Sequence, residues 1–150
     1  MKLVAPISFV LRQKGRSEVC SISPDATVYE AIEMMADKGI GALLVVSGGK
    51  LAGVISERDY ARKVILKGKA SKETLIKEIM TSPVIFVSPQ QTVDECMTTM
   101  TDKRIRHLPV VEDEKIVGVV SIGDLVKWII SEQQETIHHL EDYITGKYPG

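Results

Sequence analysis

Apolar residues recur along this chain in two alternating rhythms. Val28, Ala31, Ile32 and Met35 follow a helical spacing, as do Val93, Cys96, Met97 and Met100. Thr27 and Thr92 precede these sets, with Glu30 and Glu95 three residues after them, the pattern of a capping box that opens a helix. Short runs rich in β-branched residues come next, at 42–46 and 51–55, then at 108–111 and 116–120. The polar connectors 47–50 and 112–115 make each pair an antiparallel hairpin, with Val45, Val46, Val110 and Val111 expected inside. A further helix starts at Ser56 and again at Ser121. The first should stop near Gly68, and the second should run toward Gly146. Ile7, Phe9, Val10 and Leu11 predict a short helix or strand ending by Gly15, and Leu75, Ile76 and Ile79 a short linker helix ending before Pro83.

The two stretches are copies. A shift of 65 residues aligns positions 23–59 with 88–124 without a gap, and 17 of the 37 pairs are identical. Each copy therefore reads as strand or loop, helix, strand, strand, helix. A unit of about 60 residues is marginal alone, whereas two that pack sheet to sheet share a core. The division expected is an N-terminal segment with the first repeat at 1–73, and a linker helix, second repeat and C-terminal helix at 74–150. The tail helix carries Leu125, Ile129, Ile130, Ile137, Leu140 and Ile144, more apolar positions than one small half needs to cover, which points to a partner surface.

Composition narrows the function. With 44% hydrophobic and 26% charged residues, the 150-residue chain is globular rather than disordered. A net charge of −1 argues against nucleic acid as main partner. No apolar stretch approaches membrane-spanning length and the start lacks a signal-peptide core, so a cytoplasmic location is expected. Cys20 and Cys96 form neither a disulfide framework nor a metal motif, and the adjacent His138 and His139 point about 100° apart on a helix. There is no phosphate-binding glycine loop, serine-nucleophile motif or paired-carboxylate site, so no enzyme is expected.

The ordered set of motifs resembles the CBS domain (cystathionine-beta-synthase domain) in its tandem form, the Bateman module. The strings that carry the resemblance are Ile79-Met80-Thr81, then Ile105-Arg106-His107-Leu108-Pro109-Val110-Val111, then Gly118-Val119-Val120-Ser121-Ile122-Gly123-Asp124-Leu125. In the first copy the matching turn is Gly53-Val54-Ile55-Ser56-Glu57-Arg58-Asp59-Tyr60. The resemblance implies an α+β, sandwich-like fold of two βαββα repeats with pseudo-two-fold symmetry. It also implies clefts for an adenosine-containing ligand and a homodimer. The function implied is a non-enzymatic sensor that signals to a separate, unidentified protein. AMP is the first ligand expected, with ADP, ATP, NAD or S-adenosylmethionine as alternatives, and no cofactor is required. A degenerate pair serving as an interaction scaffold without ligand is the competing reading.

The candidate chemistry lies in the Gly-x-x-Ser-x-x-Asp turns. Gly53 and Gly118 let another chain segment or a ligand approach closely. Ser56 and Ser121 stand where a strand gives way to a helix, a place whose backbone N–H groups favour an anion. Asp59 and Asp124 follow, and the resemblance places these aspartates on a ribose and the serines on ribose or phosphate. The same spacing also describes a capping box, and the two roles are compatible. Arg58 lies within the first turn. Arg104, Arg106 and His107 precede the strand containing Pro109, and all four are nucleotide-binding candidates. On extended chain 104 and 106 would share a side and could converge on one phosphate, with ordinary surface charge as the alternative. The first copy has Gly39, Gly41 and Ala42 there, so the two clefts should differ in charge.

Overall fold

The computed structural model describes residues 4–15 and 19–145. In chain order the elements are α1 (Ile7–Lys14), β1 (Ser21–Ile22), α2 (Val28–Lys38), β2 (Ala42–Ser47), β3 (Lys50–Ser56) and α3 (Glu57–Tyr60), which continues as a π-helical turn, Ala61–Ile65. A 3₁₀ turn at Ile76–Glu78 leads to α4 (Val93–Lys103), β4 (His107–Glu112), β5 (Lys115–Ser121) and α5 (Ile122–Thr145).

The repeat survives as backbone geometry. Thr27 Oγ1 accepts from the Glu30 N–H at 3.2 Å and Thr92 Oγ1 from the Glu95 N–H at 3.1 Å, so both helices start on the predicted caps. Hairpin β2–β3 pairs Ala42 with Ser56 and Val45 with Gly53; β4–β5 pairs His107 with Ser121 and Val110 with Gly118. Both registers slip at the same point, after Val45 and after Val110. Val45 and Val110 are fully buried, whereas Val46 and Val111, on the far side of that slip, are half-buried. The first strand is where the copies part. In the first, the Leu44 N–H donates to the Cys20 carbonyl at 3.2 Å, and β1 runs parallel to β2. Pro109 takes the place of Leu44 in the second and has no N–H to give, so only a Val87–Val110 bridge remains.

The chain forms two compact units, residues 19–85 and residues 4–15 with 86–145. This division differs from a cut after residue 73, and the reason is a second, shorter repeat. In one unit the Val28 N–H donates to Thr74 O, Ile76 N–H to Ala26 O and Lys77 N–H to Pro24 O; in the other Val93 donates to Ala5 O, Ile7 to Gln91 O and Ser8 to Pro89 O. Residues 5–11 and 74–80 thus lie on equivalent strings of bonds. Ile7 and Val10 are buried in one unit, as Ile76 and Ile79 are in the other. The glycines explain themselves here. A Cβ on Gly53 would stand 2.6 Å from Met80 Sδ, and one on Gly118 would stand 2.9 Å from Leu11 Cδ2. These close approaches are made by the covering segments, so each glycine has a packing role.

Candidate functional site

Each turn is built by its own hydrogen bonds. In the first, the Ser56 N–H donates to Asp59 Oδ2 at 2.9 Å and the Asp59 N–H donates to Ser56 Oγ at 3.2 Å. The second repeats this with Ser121 and Asp124 at 2.9 and 3.1 Å. Both are capping boxes closed by aspartate. The donor that follows each serine is occupied as well: Glu57 N–H reaches Gly41 O at 3.0 Å, and Ile122 N–H reaches Arg106 O at 2.8 Å. The N–H groups of Ser56, Glu57 and Asp59, and of Ser121, Ile122 and Asp124, expected to favour an anion, are thus taken within the protein.

Two lysines absent from the predicted set complete the turns. Lys63 Nζ lies 3.1 Å from Asp59 Oδ1 and donates to Ile79 O at 3.0 Å. The position 65 residues on is Trp128, which carries no charge, yet Asp124 also has an ammonium beside it: Lys14, from the end of α1, lies 3.0 Å from Asp124 Oδ2 and donates to Val119 O at 2.9 Å. Lys63 could have been found from its i, i+4 spacing to Asp59. Lys14 could not, because 110 residues separate it from its partner.

Burial pushes the Asp124 carboxyl up, but the Ser121 N–H, the Lys14 ammonium and the Ser121 hydroxyl outweigh it and hold the group below its ordinary range. A carboxyl lowered on folding adds stability above its unfolded value, and that stability is lost as pH falls through the folded value. Lys14→Met should therefore lower stability by about 0.2–1 kcal/mol at neutral pH, the range for a pair open to solvent screening. The difference from wild type should close once Asp124 is protonated. Urea titrations across acid and neutral pH would test this, and a difference that persists in acid would mean that Lys14 acts by packing.

The basic residues divide. Arg58 is half-buried on α3. His107 faces Ser121 in the β4–β5 register, with Arg106 beside it and exposed. Arg104 departs from expectation: it caps α4 in the left-handed conformation, φ 55° and ψ 44°, as Gly39 caps α2. The extended-chain argument for Arg104 and Arg106 sharing a side fails there. Pro109 is buried within β4, and its carbonyl accepts from the Val87 N–H at 3.0 Å. Cys96 is buried in the core, and burial, with Glu95 adjacent, pushes its thiol up to about 11, so it is no nucleophile. A groove of about 520 Å³ in the first unit runs beside α2, lined by residues such as Ile22, Ala26, Glu30 and Met34, and none of the predicted site residues borders it. Among the described residues no group of His, Cys, Asp and Glu could hold a metal, and no helix is long and apolar enough to cross a membrane.

The CBS domain profile matches residues 15–66 and 76–131, one match for each copy of the repeat. This chain belongs to the CBS-domain family. The mitochondrial CBS domain-containing protein CBSX3 of Arabidopsis thaliana is 44% identical over 150 residues, covering 95% of this chain and 73% of the plant protein. Among solved structures, a protein with CBS domains from Burkholderia ambifaria is 48% identical with a TM-score of 0.80, covering 86% of this chain and 96% of that one. The CBS domain pair of protein MJ0100, solved with 5′-methylthioadenosine and S-adenosyl-L-methionine, is 26% identical with a TM-score of 0.75, covering 86% and 98%. These relatives carry CBS-domain names and no enzyme name. The CBS repeats here are mixed α and β, each with a short sheet and helices, as the sequence motifs require.

Proposed function

We propose that this CBS pair is a regulatory module that binds an adenosine-containing ligand at its Ser-x-x-Asp turns and signals its presence to a separate protein. The observation that carries the reading is the second turn, where the half-buried Asp124 carboxylate has Ser121, His107 and Arg106 around one strand end. A carboxylate there can accept from ribose hydroxyls, and the neighbouring Arg106 guanidinium suits a phosphate. The adenosyl ligands of the MJ0100 pair support the ligand class. AMP is the first choice, with ADP, ATP, NAD and S-adenosylmethionine as the others to be tried.

The two turns are expected to differ. Arg106 and His107 flank the second, while Gly41 and Ala42 stand at the matching places in the first, whose turn itself contains Arg58. A hydrogen bond to a charged group is worth about 1.5–3 kcal/mol, so a phosphorylated ligand should prefer the second turn by about tenfold or more. Calorimetry of AMP against Asp59→Asn and Asp124→Asn tests this, since asparagine keeps an oxygen for the cap. A larger loss in Asp124→Asn is the expected result, and equal losses would remove the asymmetry.

A ligand-free scaffold is the second reading. It is favoured by the ion pairs that already occupy Asp59 and Asp124, because a ribose would have to displace or share the lysines. Thermal-shift measurements with these five adenosine-containing ligands separate the two readings, since a ligand that binds the folded state in preference to the unfolded must raise its stability. No shift with any of them would favour the scaffold.

A further inference from the structure

Helix α5 is longer than the fold requires. The CBS match ends at residue 131, yet the helix continues to Thr145, and every described side chain from Gln133 onward is exposed. Near its start, Leu125 and Trp128 are buried against the unit that contains the helix. A different face carries Val126, Ile130, Ile137, Leu140 and Ile144, whose exposure rises from 43% at Val126 to 81% at Ile144. A helical extension of this length is marginal in water on its own, and this one adds a row of exposed apolar residues.

The row has a heptad period. Ile130, Ile137 and Ile144 fall at successive a positions, with Val126, Gln133 and Leu140 at the d positions between them. β-Branched residues at a with leucine at d favour two parallel strands, a combination met here by the three isoleucines and Leu140. The residues that flank the seam set no like charges face to face: Lys127, Gln134 and Glu141 at e would stand opposite Ile122, Ile129 and Thr136 at g of a second copy. Glu132 and Glu135 lie at outward positions, so two such helices can close without bringing like charges together. Gln133 selects the occupant. Its amide is both donor and acceptor, and at a buried d position it is matched by its own twin only when the strands are parallel and in register.

We propose that α5 pairs with α5 of a second copy as a short parallel coiled coil over residues 126–144. This contact lies largely outside the CBS repeats and does not depend on ligand.

Sedimentation equilibrium of the full chain over a concentration series tests it. Wild type should dimerise, and Ile137→Lys with Leu140→Lys should weaken the dimer by about 100-fold or more, because two apolar contacts per strand are lost. Circular dichroism should show the variant still folded, as both side chains are exposed. Orientation is read from cross-linking. Val126→Cys should give oxidised dimers well above the wild-type background from Cys20 and Cys96, whereas a mixture of Val126→Cys and Ile144→Cys chains should give few mixed dimers, the positions being about 27 Å apart along a parallel pair. A wild type that stays monomeric overturns the proposal. So does a dimer untouched by the two lysines, which would use another surface, or a majority of mixed 126–144 cross-links, which would make the strands antiparallel.

Discussion

Ile7→Ala should destabilise the protein by about 2–5 kcal/mol, as large a loss as any single truncation in the core. Ile7 stands outside both repeats, near the start of the chain, yet it is fully buried. Its N–H donates to Gln91 O at 2.7 Å, and the segment it begins carries Val10 into the core and Leu11 onto Gly118. Truncation leaves a cavity that the neighbouring strands cannot close without moving. Ile76→Ala should have a similar cost, because Ile76 makes the equivalent bond to Ala26 O at 2.9 Å and is also fully buried. Chemical denaturation of the two variants beside Phe9→Ala, a half-exposed neighbour, is the measurement. A loss at Ile7 no larger than at Phe9 would mean that α1 is dispensable to the unit it covers.

Gly53→Val should be as damaging for the opposite reason. The space a side chain would need is already taken by Met80 Sδ at 2.6 Å, Met80 Cγ at 3.0 Å and the Thr81 carbonyl at 3.0 Å. Met80 can move; Thr81 cannot, since its N–H and O both pair with Val54, at 2.9 and 3.2 Å. Overpacking of this kind costs about 1–3 kcal/mol, and a branched side chain on a bridged strand belongs at the upper end or beyond. Gly118→Ala is the comparison. Its Cβ would meet first the flexible Leu11 side chain, at 2.9 Å for Cδ2 and 3.4 Å for Cδ1. The alanine at 118 should therefore be clearly milder than the valine at 53, as melting curves would show. Equal losses would mean that the Thr81 bridge gives way as readily as a side chain.

What could be read from the sequence was whatever the 65-residue period repeats. Helix caps and hairpins follow from residues that recur in both copies; the slip after Val45 and Val110 recurs with them but was not among the expectations. The covers escaped because their own period is four residues longer and spans few residues. Ile7 matches Ile76, Val10 answers Ile79 and Leu11 answers Met80, too short a run to stand out. At the candidate site the serines and aspartates were legible as a turn, and the geometry is that of a cap in both copies. The lysines were hidden for different reasons, one inside an ordinary helical spacing and the other across 110 residues. Arg104 was misplaced although the clue was present, since it aligns with Gly39 and a glycine at a helix end marks a left-handed residue.

The out-of-step covers also bear on the order in which the chain can fold as it is made. Residues 19–85 contain every strand and cover of their own unit, so that unit can close once residue 85 has left the ribosome. The segment at 4–15 is synthesised before it and must wait for β4, β5 and the start of α5, which come last. Its ties to Gln91, Gly118 and Asp124 close loops of some 80 to 110 residues, among the longest in the chain. Until then the apolar side of α1 has nothing to cover, and it is the stretch of nascent chain for which a chaperone would have longest to compete.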